Sequence, residues 1–197
     1  MRRTRTDDDA TVIAASVADP ERFAVIYDRH AAPIHRYLAR RLGAQVADDL
    51  VGETFLAAFR RRSGYDGRRV EALPWLYGIA THVVAQHRRE EARAYRLLRV
   101  AQPAADDAGH DERVSTDVTA TAQRDRLIAA LADLTPGDRD VLLLVAQEEL
   151  TYEQVAAALD IPVGTVRSRL HRARVTLRVA LGGANPMNAE EEVISHG

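Results

Sequence analysis

The sequence predicts an all-α protein made of two small helical domains joined by a flexible linker: a three-to-four-helix N-terminal domain and a C-terminal helix-turn-helix domain. Three observations predict it. Apolar residues recur at steps of three and four through several long stretches, the signature of helices with one buried face. That pattern vanishes between Val100 and Thr121 into Ala, Asp, Gly, Pro and Thr, a composition that buries too little surface to fold alone. It resumes in the segment Thr151 to Arg174, TYEQVAAALDIPVGTVRSRLHRAR, which specifies two short helices and leaves the second with an arginine-studded outer face. The boundaries read as 12–96 for the first domain, 97–122 for an acidic linker that lets the domains move independently, 123–181 for the second domain and 182–197 for a disordered tail.

In the first domain Phe23, Ile26, Tyr27, Ile34, Tyr37, Leu38 and Leu42 mark one face of a long helix that ends near Gly43, a residue suited to a helix C-terminus. A second helix buries Val46, Leu50, Val51, Thr54, Phe55 and Ala58, and Asp48 and Asp49 fall in its first turn, where the helix dipole favours acids. A loop with glycines at 64 and 67 follows. Pro74 then opens a third helix in which Trp75, Leu76, Ile79, Ala80 and Val83 pack on the first two. Trp75 reads as core or as a DNA contact.

In the second domain Leu127, Leu131 and Leu134 share a face. Thr135, Pro136, Gly137 and Asp138 supply the cap and first turn of a helix through Val141, Leu144 and Val145. Thr151 and Gln154 form a capping box for the next helix, whose Val155, Ala156 and Leu159 lie on one side. Asp160 and Ile161 break it. A turn there favours glycine, because positive φ is cheap only without a Cβ, and Asp tolerates that region better than most residues. Pro162 suits the first position of the last helix. Val163, Val166, Leu170, Ala173 and Leu177 make its apolar stripe, so the opposite face is exposed. Gly164, Ser168, His171 and Arg172 lie near the middle of that face, with Thr165 and Arg167 beside them and Arg169 and Arg174 nearer its edge.

Residues 161–178 hold five arginines and no acid. A major groove admits one helix, and an arginine fork bonds guanine O6 and N7 together, contributing about 1–3 kcal/mol of discrimination per good pair. The pattern therefore reads as a DNA-binding helix-turn-helix. The competing account is an ordinary amphipathic helix pair with a solvated basic face.

Composition narrows the function classes. With 46% hydrophobic and 28% charged residues the chain is a soluble globular protein, and neither an 18-residue apolar run nor a secretory signal occurs, so the expected location is the cytoplasm, with no membrane partner. Cysteine is absent, which excludes disulfides, thiolate nucleophiles and cysteine-ligated zinc, and the seven histidines show no metal spacing. Hence no metal, no cofactor and no small-molecule substrate are expected. No phosphate-binding glycine loop, HExxH motif or nucleophile-base-orienter set argues for an enzyme, and no catalytic residue is assigned.

The net charge of −2 hides segregation: residues 60–69, RRRSGYDGRR, carry five arginines against one aspartate, while residues 101–120 carry five acids against one arginine. All 27 basic residues are arginine, a bias that a GC-rich coding sequence also produces.

Four segments, in order, resemble the extracytoplasmic-function (ECF) sigma factors of bacterial RNA polymerase. FAVIYDRHAAPIHRYLARR is similar to the family's first conserved helix, VADDLVGETFLAAFRR to its polymerase-binding helix, LPWLYGIATHVVAQHRR to the segment that meets the minus-10 promoter element, and LTPGDRDVLLLVAQEELTYEQVAAALDIPVGTVRSRLHRAR to the domain for the minus-35 element. The resemblance implies that Asp48, Asp49, Leu50, Val51, Glu53, Thr54 and Phe55 bind the polymerase clamp. On physical grounds Leu50, Val51 and Phe55 read equally as core, whereas Asp49 and Glu53, at i and i+4, suit pairing with clamp arginines.

The resemblance further implies minus-10 contacts from Arg61, Arg62, Tyr65, Arg68, His82, His87, Arg88 and Arg89. Tyr65 among arginines offers a stacking surface and cations to an unstacked strand, and His82 stands where the family commonly has asparagine. Minus-35 contacts fall to Thr165, Arg167, Ser168, Arg169, His171, Arg172 and Arg174. The implied partners are core RNA polymerase, through clamp and flap, promoter DNA and an anti-sigma factor. A free-standing helix-turn-helix regulator is the alternative, although no spare apolar helix for dimerisation is evident.

Overall fold

The structure, a computed structural model, describes residues 7–101 and 118–181. The elements are α1 (Asp9–Ala18), a 3-10 turn (Pro20–Phe23), α2 (Ala24–Leu42), α3 (Ala44–Arg61), a second 3-10 turn (Arg62–Gly64), α4 (Leu73–Ala101), α5 (Val118–Asp133), α6 (Pro136–Ala146), α7 (Tyr152–Leu159) and α8 (Val163–Ala180), with no strand among the described residues. The chain divides into two compact units: α1–α4 form the first, with which residues 157–160 at the end of α7 are also grouped, and α5, α6, the first part of α7 and α8 form the second.

In the N-terminal unit α2 and α3 form a hairpin on which α4 packs. Its core holds Ile26, Ile34, Tyr37 and Leu38 from α2, Leu50, Val51, Phe55 and Ala58 from α3, and Leu76, Ile79, Ala80 and Val84 from α4. Gly43 separates α2 from α3 with φ +87°, a conformation only glycine adopts without strain, and its N–H bonds the Ala39 carbonyl at 2.9 Å. Polar groups inside this core are paired: Thr54 Oγ1 donates to the Leu50 carbonyl at 2.8 Å, and the hydroxyls of Tyr37 and Thr81 lie 2.7 Å apart.

Several sequence expectations shift here. Helix α1 lies ahead of the first element the periodicity marks; it is capped by Asp8, whose carboxylate accepts from Thr11 N at 2.8 Å, and it buries Val12 and Ile13. Because α3 begins at Ala44, Asp48 and Asp49 lie in its second turn, outside the strongest dipole field. On α4 the buried residue is Val84, with Val83 half-buried, because the buried stripe runs at steps of four through Leu76, Ala80 and Val84. Tyr27, expected inside, is 46% exposed and meets Phe55 edge-on at 4.9 Å. The linker ends are helical: residues 97–101 continue α4 and 118–122 open α5, while the rest of the linker and the tail lie outside the described residues.

In the C-terminal unit Ala130 of α5, Leu134 just beyond it, Val141, Leu142 and Leu144 of α6, Val155 and Ala156 of α7, and Val166, Leu170, Ala173 and Leu177 of α8 are buried. Thr135 caps α6 by accepting from Asp138 N at 3.3 Å. The capping box of α7 is reciprocal: Thr151 Oγ1 accepts from Gln154 N at 3.2 Å and Gln154 Oε1 accepts from Thr151 N at 2.9 Å. Asp160 takes φ +52°, as the turn requires. Pro162 is the N-cap of α8 rather than its first residue; its extended backbone (ψ 145°) aims its carbonyl at Thr165 N and Val166 N, at 2.8 and 3.2 Å.

Candidate nucleic-acid and polymerase interfaces

The outer face of α8 follows from its buried stripe. With Val166, Leu170, Ala173 and Leu177 facing inward, Arg167, Ser168, His171, Arg172 and Arg174 are exposed, while Thr165 and Arg169 are half-buried at the edge. These side chains are not equivalent. Arg172 donates to Asp138 from Nη2 at 2.8 Å and from Nε at 3.2 Å, so a fork expected to read bases is engaged within the unit. Asp138 is buried, and the Arg172 hydrogen bonds, opposed by desolvation and helped by Thr135, hold its carboxyl below the ordinary value. Arg169 lies over the start of α6, where a Cβ on Gly137 would come within 2.8 Å of its Nη1. Ser168 Oγ donates to the Thr165 carbonyl at 3.0 Å. Arg167, His171 and Arg174 thus form the outward-directed part of the set, while Arg172 and Arg169 brace α8 against α6.

The arginine loop of the N-terminal unit is more ordered than a solvated basic segment. Arg62 turns inward: its Nε donates to the Ser16 carbonyl at 3.1 Å, its Nη1 to the Phe59 carbonyl at 2.6 Å, and its guanidinium lies 3.7 Å over the Phe59 ring. Arg68 forms a two-point pair with Asp66 at 3.0 and 3.2 Å. The Tyr65 hydroxyl shares its one proton between the carbonyls of Arg69 and Glu71, at 2.7 and 2.9 Å, and its ring meets Trp75 edge-on at 4.9 Å, so Trp75 is half-buried against the loop instead of deep in the core. Desolvation, reinforced by the negative charge of Asp9, pushes the Tyr65 hydroxyl up to about 12, so it remains a donor.

Along α4, His82 and Arg89 are exposed seven positions apart and share a face with Gln86. His87 Nε2 is 3.5 Å from Glu91, and Arg88 Nη2 donates to the Arg41 carbonyl at 3.3 Å. Of the residues expected at the minus-10 strand, Arg61, Arg68, His82 and Arg89 are exposed and Tyr65 and His87 are half-buried, whereas Arg62 and Arg88 are drawn into the fold.

On α3 the expected polymerase-binding set splits. Leu50, Val51, Thr54 and Phe55 are buried in the N-terminal unit, so they cannot make direct contacts without repacking; they fix where the helix lies. Asp48, Asp49 and Glu53 are exposed, and Asp48 Oδ1 is 2.8 Å from His35 Nε2 across a shallow hollow of about 260 Å³ lined by Tyr27, Ala31, Ala32, His35, Asp48 and Val51. Leu56, one turn beyond Glu53 and 48% exposed, continues this ridge. Its signal in the sequence was an apolar residue off the buried stripe. Among the described residues no group of acids and histidines is placed to hold a metal ion, and no helix is long and apolar enough to cross a membrane.

Comparison with known proteins gives a consistent result. Residues 26–106 match the family model described as Sigma-70 region 2, and residues 124–177 match Sigma-70, region 4. The chain is 35% identical over 182 residues to the ECF RNA polymerase sigma factor SigC of Mycobacterium tuberculosis, covering 90% of this chain and 94% of SigC. It is 33% identical over 174 residues to SigL of the same species, covering 87% and 96% of the two chains. Among solved structures, CnrH, in complex with the cytosolic domain of CnrY, superposes with a TM-score of 0.59 at 25% identity, covering 88% of this chain and 97% of CnrH. With both family regions matched in order and relatives covered almost end to end, the chain belongs to the ECF sigma factors of RNA polymerase.

Proposed function

We propose that the two units act on separate parts of one promoter. The C-terminal unit reads the minus-35 element with Arg167, His171 and Arg174 of α8, supported by Thr165, Ser168, Arg169 and Arg172. The N-terminal unit holds core polymerase through Asp48, Asp49 and Glu53, and it captures the melted minus-10 strand with the 61–69 loop and the His82–Arg89 face. The observation that carries this reading is the one-signed outer face of α8, exposed opposite a buried stripe of Val166, Leu170, Ala173 and Leu177.

No bond is made or broken by the protein in this scheme. Strand opening follows from binding the separated strand more tightly than the duplex, which shifts the opening equilibrium by that difference in affinity. Phosphate contacts set register and base contacts set specificity. The setting is the cytoplasm. An inhibitory protein partner belongs to the same proposal, supported by CnrH having been solved with a bound protein domain.

Gel-shift titration of a promoter fragment with the chain alone, with core polymerase alone and with both tests it. Sequence-specific binding is expected only with both. Tight specific binding by the chain alone supports a free-standing regulator instead.

A further inference from the structure

The N-terminal helix α1 carries Asp9, whose carboxylate is buried and is met by three donors from two other parts of the unit. Arg29 Nη1 donates to Oδ1 at 2.9 Å, His30 Nε2 lies 2.7 Å from Oδ2, and the Ala72 backbone N–H donates to Oδ2 at 3.0 Å. Arg29 Nη1 also donates to the Asp7 carbonyl at 2.9 Å, fixing the chain just before α1. Ala72 is the residue immediately before α4 and is itself fully buried. Its N–H has no helical partner of its own, so the Asp9 carboxylate acts as a cap supplied from a distant element.

This cap fixes one end of the arginine loop. The other end is held where Arg62 reaches the Ser16 carbonyl, again on α1. Between them the Tyr65 hydroxyl ties the Arg69 and Glu71 carbonyls together beneath the Trp75 ring. Both feet of the loop therefore stand on α1, and the charged member of that support is Asp9.

We propose that Asp9 is a positioning residue for minus-10 strand capture: by clamping Ala72 N–H to Arg29 and His30, it holds the 62–72 loop in its strand-accepting shape before DNA arrives. A loop already in its bound shape avoids the ordering cost that a mobile one meets on binding. The inference rests on the minus-10 reading of that loop given above. Asp9 touches no DNA; it acts through the loop it holds.

The test uses holoenzyme reconstituted from core polymerase and the full chain, wild type or Asp9→Asn, which keeps an acceptor oxygen but loses the charge that holds Arg29. Two quantities are measured: affinity for a single-stranded non-template oligonucleotide spanning the melted region of a start site mapped with the wild-type holoenzyme, and capture of core polymerase. The expected result is oligonucleotide binding about five- to tenfold weaker with unchanged polymerase capture. Arg29→Gln withdraws one donor while leaving the buried carboxylate and Ala72 in place, and should give the same split with a smaller change, so the proposal stays testable if Asp9→Asn folds poorly.

Unchanged oligonucleotide affinity in both variants overturns the inference, as does a loss of polymerase capture in step with the loss of strand affinity, which marks a purely structural role. A wild-type holoenzyme that does not retain the oligonucleotide overturns the minus-10 reading itself, and the positioning role with it.

Discussion

Arg172 of α8 and Asp138 of α6 are joined by two parallel hydrogen bonds, 2.8 and 3.2 Å long, with the carboxylate buried and the guanidinium half in solvent. Helix α8 is thus tied to the first turn of α6 by a side chain that the sequence places on the face proposed to read DNA. Removing either partner does more than delete a contact, because it leaves the other without its match.

Arg172→Ala and Asp138→Ala should therefore both lower the melting temperature of the chain and weaken minus-35 binding together. Arg167→Ala and Arg174→Ala should weaken minus-35 binding about tenfold at unchanged melting temperature. Thermal melting beside gel shifts with holoenzyme separates the two classes; a stable Arg172→Ala variant that loses only DNA affinity would make Arg172 a reader.

Acid should loosen both units. Asp9 is desolvated, but the Ala72 N–H, Arg29 and His30 outweigh that and hold its carboxyl below the ordinary 3.8; at Asp138 the Arg172 hydrogen bonds do the same. A depressed folded-state value means that the stabilisation is complete above the unfolded value of 3.8 and is lost as pH falls through the lower folded value. Melting temperature measured against pH should fall more steeply below about pH 4 in the wild type than in an Asp9→Asn, Asp138→Asn double variant. Equal slopes would show that these carboxylates carry no such linkage.

The turn of the helix-turn-helix is locally strained at Asp160, whose φ is +52°. Replacement by glycine relieves the Cβ clash and should raise stability by about 0.5–1 kcal/mol in urea titration. Thr151→Ala removes half of the α7 capping box and should cost about 1 kcal/mol. A neutral Thr151 result would mean that α7 is held by packing alone.

On α3, Leu50→Ala should destabilise the N-terminal unit by about 2–5 kcal/mol, since the side chain is buried. Asp49→Arg with Glu53→Arg should leave folding intact and impair retention of core polymerase in a pull-down. Full retention by the folded double variant would remove this ridge from the interface.

What the sequence disclosed follows from which interactions are local. The capping box at Thr151, the left-handed turn at Asp160, the stop at Gly43 and the stripe of α8 are each set within a few residues, and each stands in the structure as expected. The partnerships of Asp9, Arg62 and Arg172 cross 63, 46 and 34 positions, and no periodicity announces them. Those distant partners are what turn Arg62 and Arg172, which local pattern places on a basic surface, into bonds within the fold. Tyr27 departs from the pattern for another reason: it falls on the helical stripe, but the hollow between α2 and α3 leaves it uncovered.

The central claim is that this chain confers start-site choice on core polymerase. The direct measurement is run-off transcription from a genomic promoter library by purified core polymerase, with and without the full chain. The account predicts discrete start sites that appear only with the chain and that disappear when the Arg167→Ala, Arg174→Ala variant replaces it. Identical transcripts with and without the chain would contradict it.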